Sequence, residues 1–447
     1  MMKIVVVGAG KVGYSLAQRL VQDEHDVYLI EKSPERIKNL ENNLDVNLVQ
    51  GNGSSISLLQ EIGVEDIGML IAVTDSDEVN ILACMIGKAA GIPKTIARVR
   101  DNEYESNINA SIRERLGIDL FINPEMVTAR EIYKILKTPA ALDVEDFASG
   151  AVRLAEFKIR NNLDITGIPL YSLTLPSNVL VVGIMRGGEM IIPHGKSTLE
   201  YRDNVFFLGA KDSIGEVEEW LHETSRPTQR VVIIGAGLIG RNLTLLLEKD
   251  GYDVKVIDKN LDRCEQLAAQ VDRSIVIHGD GTDIDLLEAE EISDNDVIIC
   301  LTDDDKLNLL VALLAKHLGV PKAFVRVGRL EYITLMEQVG IDVAFSPRLL
   351  TSGQILRLIR EGENLINIST FEGSKAEAVE IEITATSSLM NQYLKDLKFP
   401  GKSLVGAVVR GNHTIVPKGD TLLLEGDHIV IFTLPEHVNA LLSYVSD

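Results

Sequence analysis

A segment that opens the chain occurs again near its middle. Residues 3–13 read KIVVVGAGKVG and residues 230–240 read RVVIIGAGLIG. The match continues in order. Asp26 to Glu31 pairs with Asp253 to Asp258, and the turn Gly51 to Ser54 with Gly279 to Thr282. Thr74-Asp-Ser-Asp-Glu-Val-Asn80 pairs with Thr302-Asp-Asp-Asp-Lys-Leu-Asn308. Arg98-Val99 pairs with Arg326-Val327, and Gly117-Ile-Asp119 with Gly340-Ile-Asp342. So many shared loop residues exceed what two unrelated segments of like fold would keep. The chain must build one unit twice.

Within the first copy, short β-rich runs fall at about 3–7, 26–31, 46–49, 69–73, 95–99 and 119–122, with helical stretches between them. Each run is apolar enough for burial on both faces, the mark of a parallel sheet covered by helices. This predicts a doubly wound α/β fold of Rossmann type. Pro124 and Pro347 follow the last strands and lead into helical stretches, Glu125–Leu136 and Arg348–Arg360. A smaller, strand- and turn-rich α+β segment follows each copy. These segments match at their ends, Ile191 to Leu199 against Thr414 to Leu422, before strands at Asn204–Leu208 and Asp427–Phe432. Four domains are expected, at 1–137, 143–224, 230–362 and 370–447, with a polar linker at Thr224–Gln229.

The glycines explain what the repeated segment is for. Gly8, Gly10 and Gly13 have the spacing G-x-G-x-x-G between a strand and a helix, as do Gly235, Gly237 and Gly240. The first glycine makes a tight turn, the second admits a pyrophosphate to the backbone, and the third lets helix pack on strand. The following residues, Lys11 and Val12 or Leu238 and Ile239, present backbone N–H groups at a helix start. Glu31 and Asp258 end the second strands, where an acid accepts hydrogen bonds from ribose hydroxyls and repels a 2′-phosphate. NAD(H) is therefore favoured over its phosphorylated form. Asn52-Gly53 and Asp280-Gly281 lie where an adenine would rest, and Asp280 is the stronger acceptor for its amino group. Thr74 with Asp75 and Thr302 with Asp303 complete the two rims. The copies differ in cations. The first has Lys11, Arg98 and Arg100, where the second has Leu238, Arg326 and Gly328. Extra cations at the carboxyl edge of the sheet suit a terminal phosphate, so ATP or ADP fits the first site better. The second site holds NAD(H) or a diphosphate, or serves mainly as structure.

Composition limits the function further. The formal net charge of −22 and the lack of any Lys/Arg-rich run exclude a nucleic-acid-binding surface and direct attraction to anionic lipid. The apolar content of 45% is globular, and the longest apolar runs are too short to span a bilayer. Cys84, Cys264 and Cys300 form no C-x-x-C pair and read as buried free thiols in a reducing compartment. With a start that runs straight into a strand, the expected location is cytoplasmic. A dehydrogenase needs an acid or base beside the nicotinamide. His194 and His278 have no carboxylate partner in the pattern, no residues have metal-ligand spacing, and no P-loop lysine is present. No catalytic residue and no metal site is expected.

With its order of Rossmann and small domain twice over, the chain resembles the RCK (KTN) family, regulators of potassium conductance, in its tandem form. The resemblance rests on Val7 to Gly13 with Glu31, the Thr-Asp-x-Asp-x-x-Asn segments and Arg98-Val-Arg100, and it covers essentially the whole chain. It implies a regulatory subunit, not an enzyme, on the cytoplasmic side of a Trk-type membrane potassium-transport subunit. It also implies dimerisation through the helices after the sixth strands and a homo-oligomeric ring, a dimer of dimers with two units per chain. NAD(H), ATP or ADP would gate flux through that partner. Two alternatives stand beside it: an NAD-dependent oxidoreductase, and a nucleotide or redox sensor without a transporter.

Overall fold

Runs of Val, Ile and Leu that leave no polar face must be covered on both sides, and the sheets of the computed structural model meet that demand. The structure describes residues 2–40, 44–101, 115–138, 141–159, 164–221, 228–360, 365–371, 376–411 and 413–446. Of the expected linker, residues 224–227 lie outside the described residues.

The first copy runs β1 (Lys3–Val7), α1 (Lys11–Gln22), β2 (Asp26–Glu31), α2 (Pro34–Leu40), β3 (Asn47–Gln50), α3 (Ile56–Ile62), β4 (Ile67–Ala72), α4 (Asp77–Ala89), β5 (Lys94–Arg98), β6 (Leu120–Ile122) and α5 (Pro124–Leu136). Its sheet is parallel with order β3-β2-β1-β4-β5-β6. The order reverses between β1 and β4, so a crevice opens at their carboxyl ends. Ile4, Val5, Val6, Leu70 and Ile71 are fully buried there.

A five-stranded antiparallel sheet follows: β7 (Ala141–Phe147), β8 (Val152–Lys158), β9 (Val179–Arg186), β10 (Glu189–Ile191) and β11 (Asn204–Ala210), closed by α6 (Lys211–Trp220). Trp220 packs edge-on against Phe207 at 6.1 Å.

The second copy repeats the first: β12 (Arg230–Ile234), α7 (Leu238–Lys249), β13 (Asp253–Asp258), α8 (Leu261–Ala268), β14 (Ile275–His278), α9 (Ile284–Ala289), β15 (Val297–Cys300), α10 (Asp305–Leu318), β16 (Lys322–Arg326), α11 (Glu331–Gln338), β17 (Val343–Phe345) and α12 (Pro347–Arg360). The sheet order is β14-β13-β12-β15-β16-β17. Its small sheet comprises β18 (Leu365–Phe371), β19 (Ala376–Glu382), β20 (Ser403–Arg410), β21 (His413–Ile415) and β22 (His428–Thr433), with α13 (Pro435–Ser446).

Both α5 and α12 begin on the proline itself, one residue before the expected start, because proline's fixed φ suits a first helical turn. The strands expected at Asn204–Leu208 and Asp427–Phe432 lie at Asn204–Ala210 and His428–Thr433. Ladder pairing with β8 and with β19 sets those ends.

The chain divides into two compact units. One holds both Rossmann copies, residues 1–133 and 229–356, and the other holds both small domains, residues 134–228 and 357–447. In the first unit, the Tyr133 hydroxyl on α5 donates to Asp250 just past α7, at 2.8 Å, linking the two copies. In the second unit the two small sheets share a core that includes Phe147, Val182, Phe206, Ala378, Ala407 and Phe432. Gly183 makes room there for the Phe432 ring, which would lie 2.6 Å from an added Cβ. The three cysteines are free and buried. Among the described residues no helix is long and apolar enough to cross a membrane.

Candidate functional site

The crevices of the two Rossmann copies open onto one cleft of about 1410 Å³ inside the first unit. Every residue assigned to the two nucleotide sites from the sequence lines it except Gly13 and Gly240. Those two lie beneath it. A Cβ on Gly13 would sit 1.9 Å from the Gly8 carbonyl oxygen, and one on Gly240 2.0 Å from that of Gly235. The third glycines therefore serve helix-on-strand contact. The first glycines turn with φ of +101° at Gly8 and +109° at Gly235, where a side chain is strained. The second glycines, Gly10 and Gly237, face open space, with no atom within 4 Å of an added Cβ. The three positions thus have three distinct packing environments, and only the second leaves a cradle.

Glu31 and Asp258 are buried at the rim and already hold backbone. Glu31 accepts from the N–H of Ala9 at 2.9 Å through Oε2 and of Ser33 at 2.8 Å through Oε1. Asp258 accepts from Ala236 N–H at 2.6 Å and Asn260 N–H at 2.8 Å. Each acid therefore shapes its glycine loop, and a carboxylate oxygen with one such bond retains a lone pair for a hydroxyl donor. Asn52 and Asp280 each turn Oδ1 onto their own loop, receiving the N–H and hydroxyl of Ser54 or Thr282. Those bonds hold the Asp280 carboxyl below its ordinary range.

The Thr-Asp-x-Asp-x-x-Asn segments clasp the ends of two strands. The Asn80 side chain is fully buried. Its oxygen accepts from Thr74 N–H at 2.8 Å and from the Thr74 hydroxyl at 2.7 Å, and its amide donates to the oxygens of Thr74 and Arg98. Asn308 makes the same four bonds to Thr302 and Arg326. Asp77 accepts from the N–H groups of Arg100 and Asp101, and Asp305 from those of Gly328 and Arg329. Neither the asparagines nor these aspartates were picked out as site residues. Their repetition in the motif is the signal that marks them.

The arginines meet acids. Arg98 lies 3.6 Å from Asp75 and 3.9 Å from Glu125, and Arg100 lies 3.2 and 3.6 Å from the same two carboxylates. Burial, then the neighbouring Arg100, pushes the Arg98 guanidinium below its usual range, against the pull of those acids. Arg326 donates to the Thr302 oxygen at 2.8 Å and pairs with Asp303. That bond holds Asp303 below the ordinary carboxylate range, with Arg263 and Lys11 adding to it. Lys11, read from sequence as a first-site cation, is thus also felt by an acid of the second copy.

These partnerships leave atoms unpaired. Buried side-chain atoms with no hydrogen-bond partner include Nε of Arg98, Arg100, Arg326 and Arg348, Oε2 of Glu125 and Oγ of Ser346, and all six belong to residues that line the cleft. Unsatisfied buried polar atoms are costly and rarely kept without a partner. A polar, charged ligand would satisfy them.

The histidines stand apart. The His194 Nδ1 accepts from Lys196 N–H in its own turn, and His278 meets the Lys259 carbonyl. Among the described residues no group of three or more His, Cys, Asp or Glu could hold a metal ion.

Comparison with known proteins places this architecture. The TrkA-N domain model matches residues 4–124 and 231–347, and the TrkA-C domain model matches 154–222 and 378–446. The chain belongs to the TrkA family. Its TrkA relatives include a "Trk system potassium uptake protein TrkA homolog 1" of Methanosarcina mazei, 37% identical over 441 residues and 97% of each chain. The TrkA of Halomonas elongata is 36% identical over 440 residues, 97% of this chain and 96% of that one. Among solved structures, the GsuK channel bound to NAD shares the TrkA-type fold with a TM-score of 0.64 at 17% identity, over 100% of this chain and 79% of that chain. GsuK bound to ADP gives a TM-score of 0.52 at 15% identity, over 80% of this chain and 69% of that chain.

Proposed function

We propose that this TrkA-family chain is a nucleotide-sensing regulatory subunit of a membrane potassium transporter. The carrying observation is the shared cleft. Two glycine loops with open cradles at Gly10 and Gly237 border it, together with buried guanidinium and carboxyl atoms that, among the described residues, have no hydrogen-bond partner. Backbone N–H groups at the starts of α1 and α7 would take the pyrophosphate. Glu31 and Asp258 would accept ribose hydroxyls, and Asn52-Gly53 and Asp280-Gly281 would border the adenine. Arg98, Arg100 and Arg326 would exchange part of their contact with Asp75, Glu125 and Asp303 for phosphate. NAD(H), ATP and ADP share the adenosine diphosphate that these groups fit, and the family's solved structural neighbours include one bound to NAD and one bound to ADP.

The regulatory reading follows from how the site is built. Both copies contribute to one cleft, so a ligand that prefers one separation of the copies shifts the population toward it. Domains at 1–137, 143–224, 230–362 and 370–447 would assemble with further copies of the chain into a ring, a dimer of dimers. The ring would act on a Trk-type membrane subunit from the cytoplasmic side. The nucleotide serves as a signal, with no chemical step assigned to it.

Calorimetry of the full chain with NAD⁺, NADH, ATP and ADP tests the ligand. Micromolar binding of at least one is expected, and no binding of any overturns the reading. Co-purification with a co-expressed Trk-type membrane subunit tests the partner, and failure to co-purify with and without nucleotide counts against it.

A further inference from the structure

The residue after the helix-opening proline reverses charge between the copies: Glu125 on α5, Arg348 on α12. Glu125 takes up the guanidiniums of its own copy, Arg98 and Arg100, at 3.9 and 3.6 Å. Among the described residues Arg348 has no such counterpart, and its Nε is buried with no hydrogen-bond partner. Its side chain lines a recess of about 340 Å³ whose other walls come from the first copy, among them Gly10, Lys11, Tyr14 and Arg36. Among the described residues no carboxylate lines this recess. The nearest acid to Arg36, Glu31 at 3.7 Å, already holds the N–H groups of Ala9 and Ser33.

Lys11, Arg36 and Arg348 line this recess, and one carboxylate, Glu31, lies 3.7 Å from Arg36, so the three positive charges are only partly offset and an anion between them relieves the repulsion that remains. Under the repeat, the residues matching Lys11, Arg36 and Arg348 are Leu238, Arg263 and Glu125. The second set sums to no net charge, whereas the first carries three positive charges. Charge-assisted bonds from guanidinium to phosphate are among the stronger polar contacts available to a protein.

We infer that Arg348, supplied by the second copy, binds the phosphate groups of a nucleotide held on the glycine loop of the first copy, acting with Lys11 and Arg36. This rests on the nucleotide reading above and adds a specificity to it: the first copy selects polyphosphates, and both copies hold the ligand. A phosphate bound there draws α12 toward the first glycine loop, which gives the terminal phosphate a mechanical readout.

The test is calorimetry on the full chain carrying Gly237→Val, which fills the second cradle and leaves the first copy to be read alone. ATP, ADP and AMP are titrated into this parent and into its Arg348→Ala and Arg348→Gln derivatives. Arg348→Gln keeps much of the aliphatic stem and serves if the alanine variant does not fold. Loss of one charge-assisted bond predicts ATP binding weaker by roughly ten- to a hundred-fold. AMP, which lacks the outer phosphates, should change by less than about three-fold. ATP affinity within about two-fold of the parent overturns the inference, as does an equal loss for AMP and ATP, which would mean a packing defect. A parent that binds none of the three, while the unmodified chain binds ATP, removes the adenine-nucleotide reading of the first copy and with it this inference; an unmodified chain that binds no NAD⁺, NADH, ATP or ADP removes the nucleotide reading itself. A parent that binds ATP with unchanged affinity in the variants removes only the role of Arg348.

Discussion

The side-chain amide of Asn80 donates to the main-chain oxygen of Arg98 at 2.9 Å, tying the start of α4 to the end of β5. The same side chain holds Thr74 by three further bonds, and it has no exposure to solvent. It therefore fixes two rims of the cleft at once. Asn80→Ala leaves a buried N–H and a buried carbonyl without partners, and should lower unfolding free energy by about 2–3 kcal/mol. Urea unfolding measures this. Nucleotide affinity at the first copy should fall as well, because Thr74 and Arg98 lose their anchor. A variant as stable as the parent would show that water replaces the amide.

The glycine loop predicts a dissociation of folding from binding. At Gly10, φ is −70° and an added Cβ meets nothing, so Gly10→Ala should fold with unchanged stability and lose nucleotide affinity at the first copy. At Gly13 the Cβ would meet the Gly8 carbonyl oxygen at 1.9 Å, so Gly13→Ala must push α1 off its strand. Overpacking of this kind costs about 1–3 kcal/mol or more. Thermal melting with calorimetry separates the two. Equal behaviour of the two variants would contradict the distinct roles.

Much of this was legible in the sequence, because the repeat and the glycine spacing act locally. Gly8, Gly10 and Gly13 announce their packing environments through a strand and helix that are neighbours in the chain. The doubly wound parallel sheet followed from the same pattern, and the residues assigned to the nucleotide sites line the cleft except Gly13 and Gly240. Other features depend on contacts that no local pattern encodes. Asn80 and Asp77 read as motif letters, since only the folded sheet places β5 within their reach. Glu31 read as a ribose acceptor, and the structure shows that it also braces Ala9 and Ser33. Arg348 gave no signal, because its neighbours Gly10 and Lys11 belong to the other copy. The first copy also looked richer in free cations than it is, because Asp75 and Glu125 already pair with Arg98 and Arg100.

Acid should loosen the first copy through Asp119. Partial burial raises the pKa of this carboxyl, but the Lys88 ammonium and the N–H and hydroxyl of Thr95 outweigh it, and the net direction is downward from 3.8. A carboxyl depressed in the folded state adds stability above its unfolded value, and that contribution is lost as pH falls through the folded value. Urea unfolding of parent and Asp119→Asn should therefore differ at about pH 6, with the parent more stable, and the gap should narrow as pH falls below 3.8 through the lowered folded value. A gap that stays constant over this range would mean that the hydrogen-bond geometry, not the charge, supplies the difference.

The small domains carry a repeated ion pair whose carboxylate is buried, with a sharper consequence. Arg410 grips Asp427 through Nε and Nη2, both at 2.8 Å, and also donates to the Leu422 oxygen. Asp427 is fully buried and further accepts from Leu424 N–H. Arg186 and Asp203 repeat the arrangement in the first small domain. Arg410→Ala leaves the buried Asp427 charge without its guanidinium; breaking a fully buried pair costs about 3–5 kcal/mol, and the 40% exposure of Arg410, which lets water reach the carboxylate, brings the cost below that range. Asp427→Asn removes the buried charge instead and leaves an arginine that is 40% exposed and able to turn to water, so its cost should be smaller. In the double variant no stranded carboxylate remains, so it should be more stable than Arg410→Ala alone. Denaturant unfolding of the four chains forms a double-mutant cycle that reads this coupling directly. Additive losses would show that the pair acts as two independent contacts, with Asp427 held by its backbone donor and not by the guanidinium.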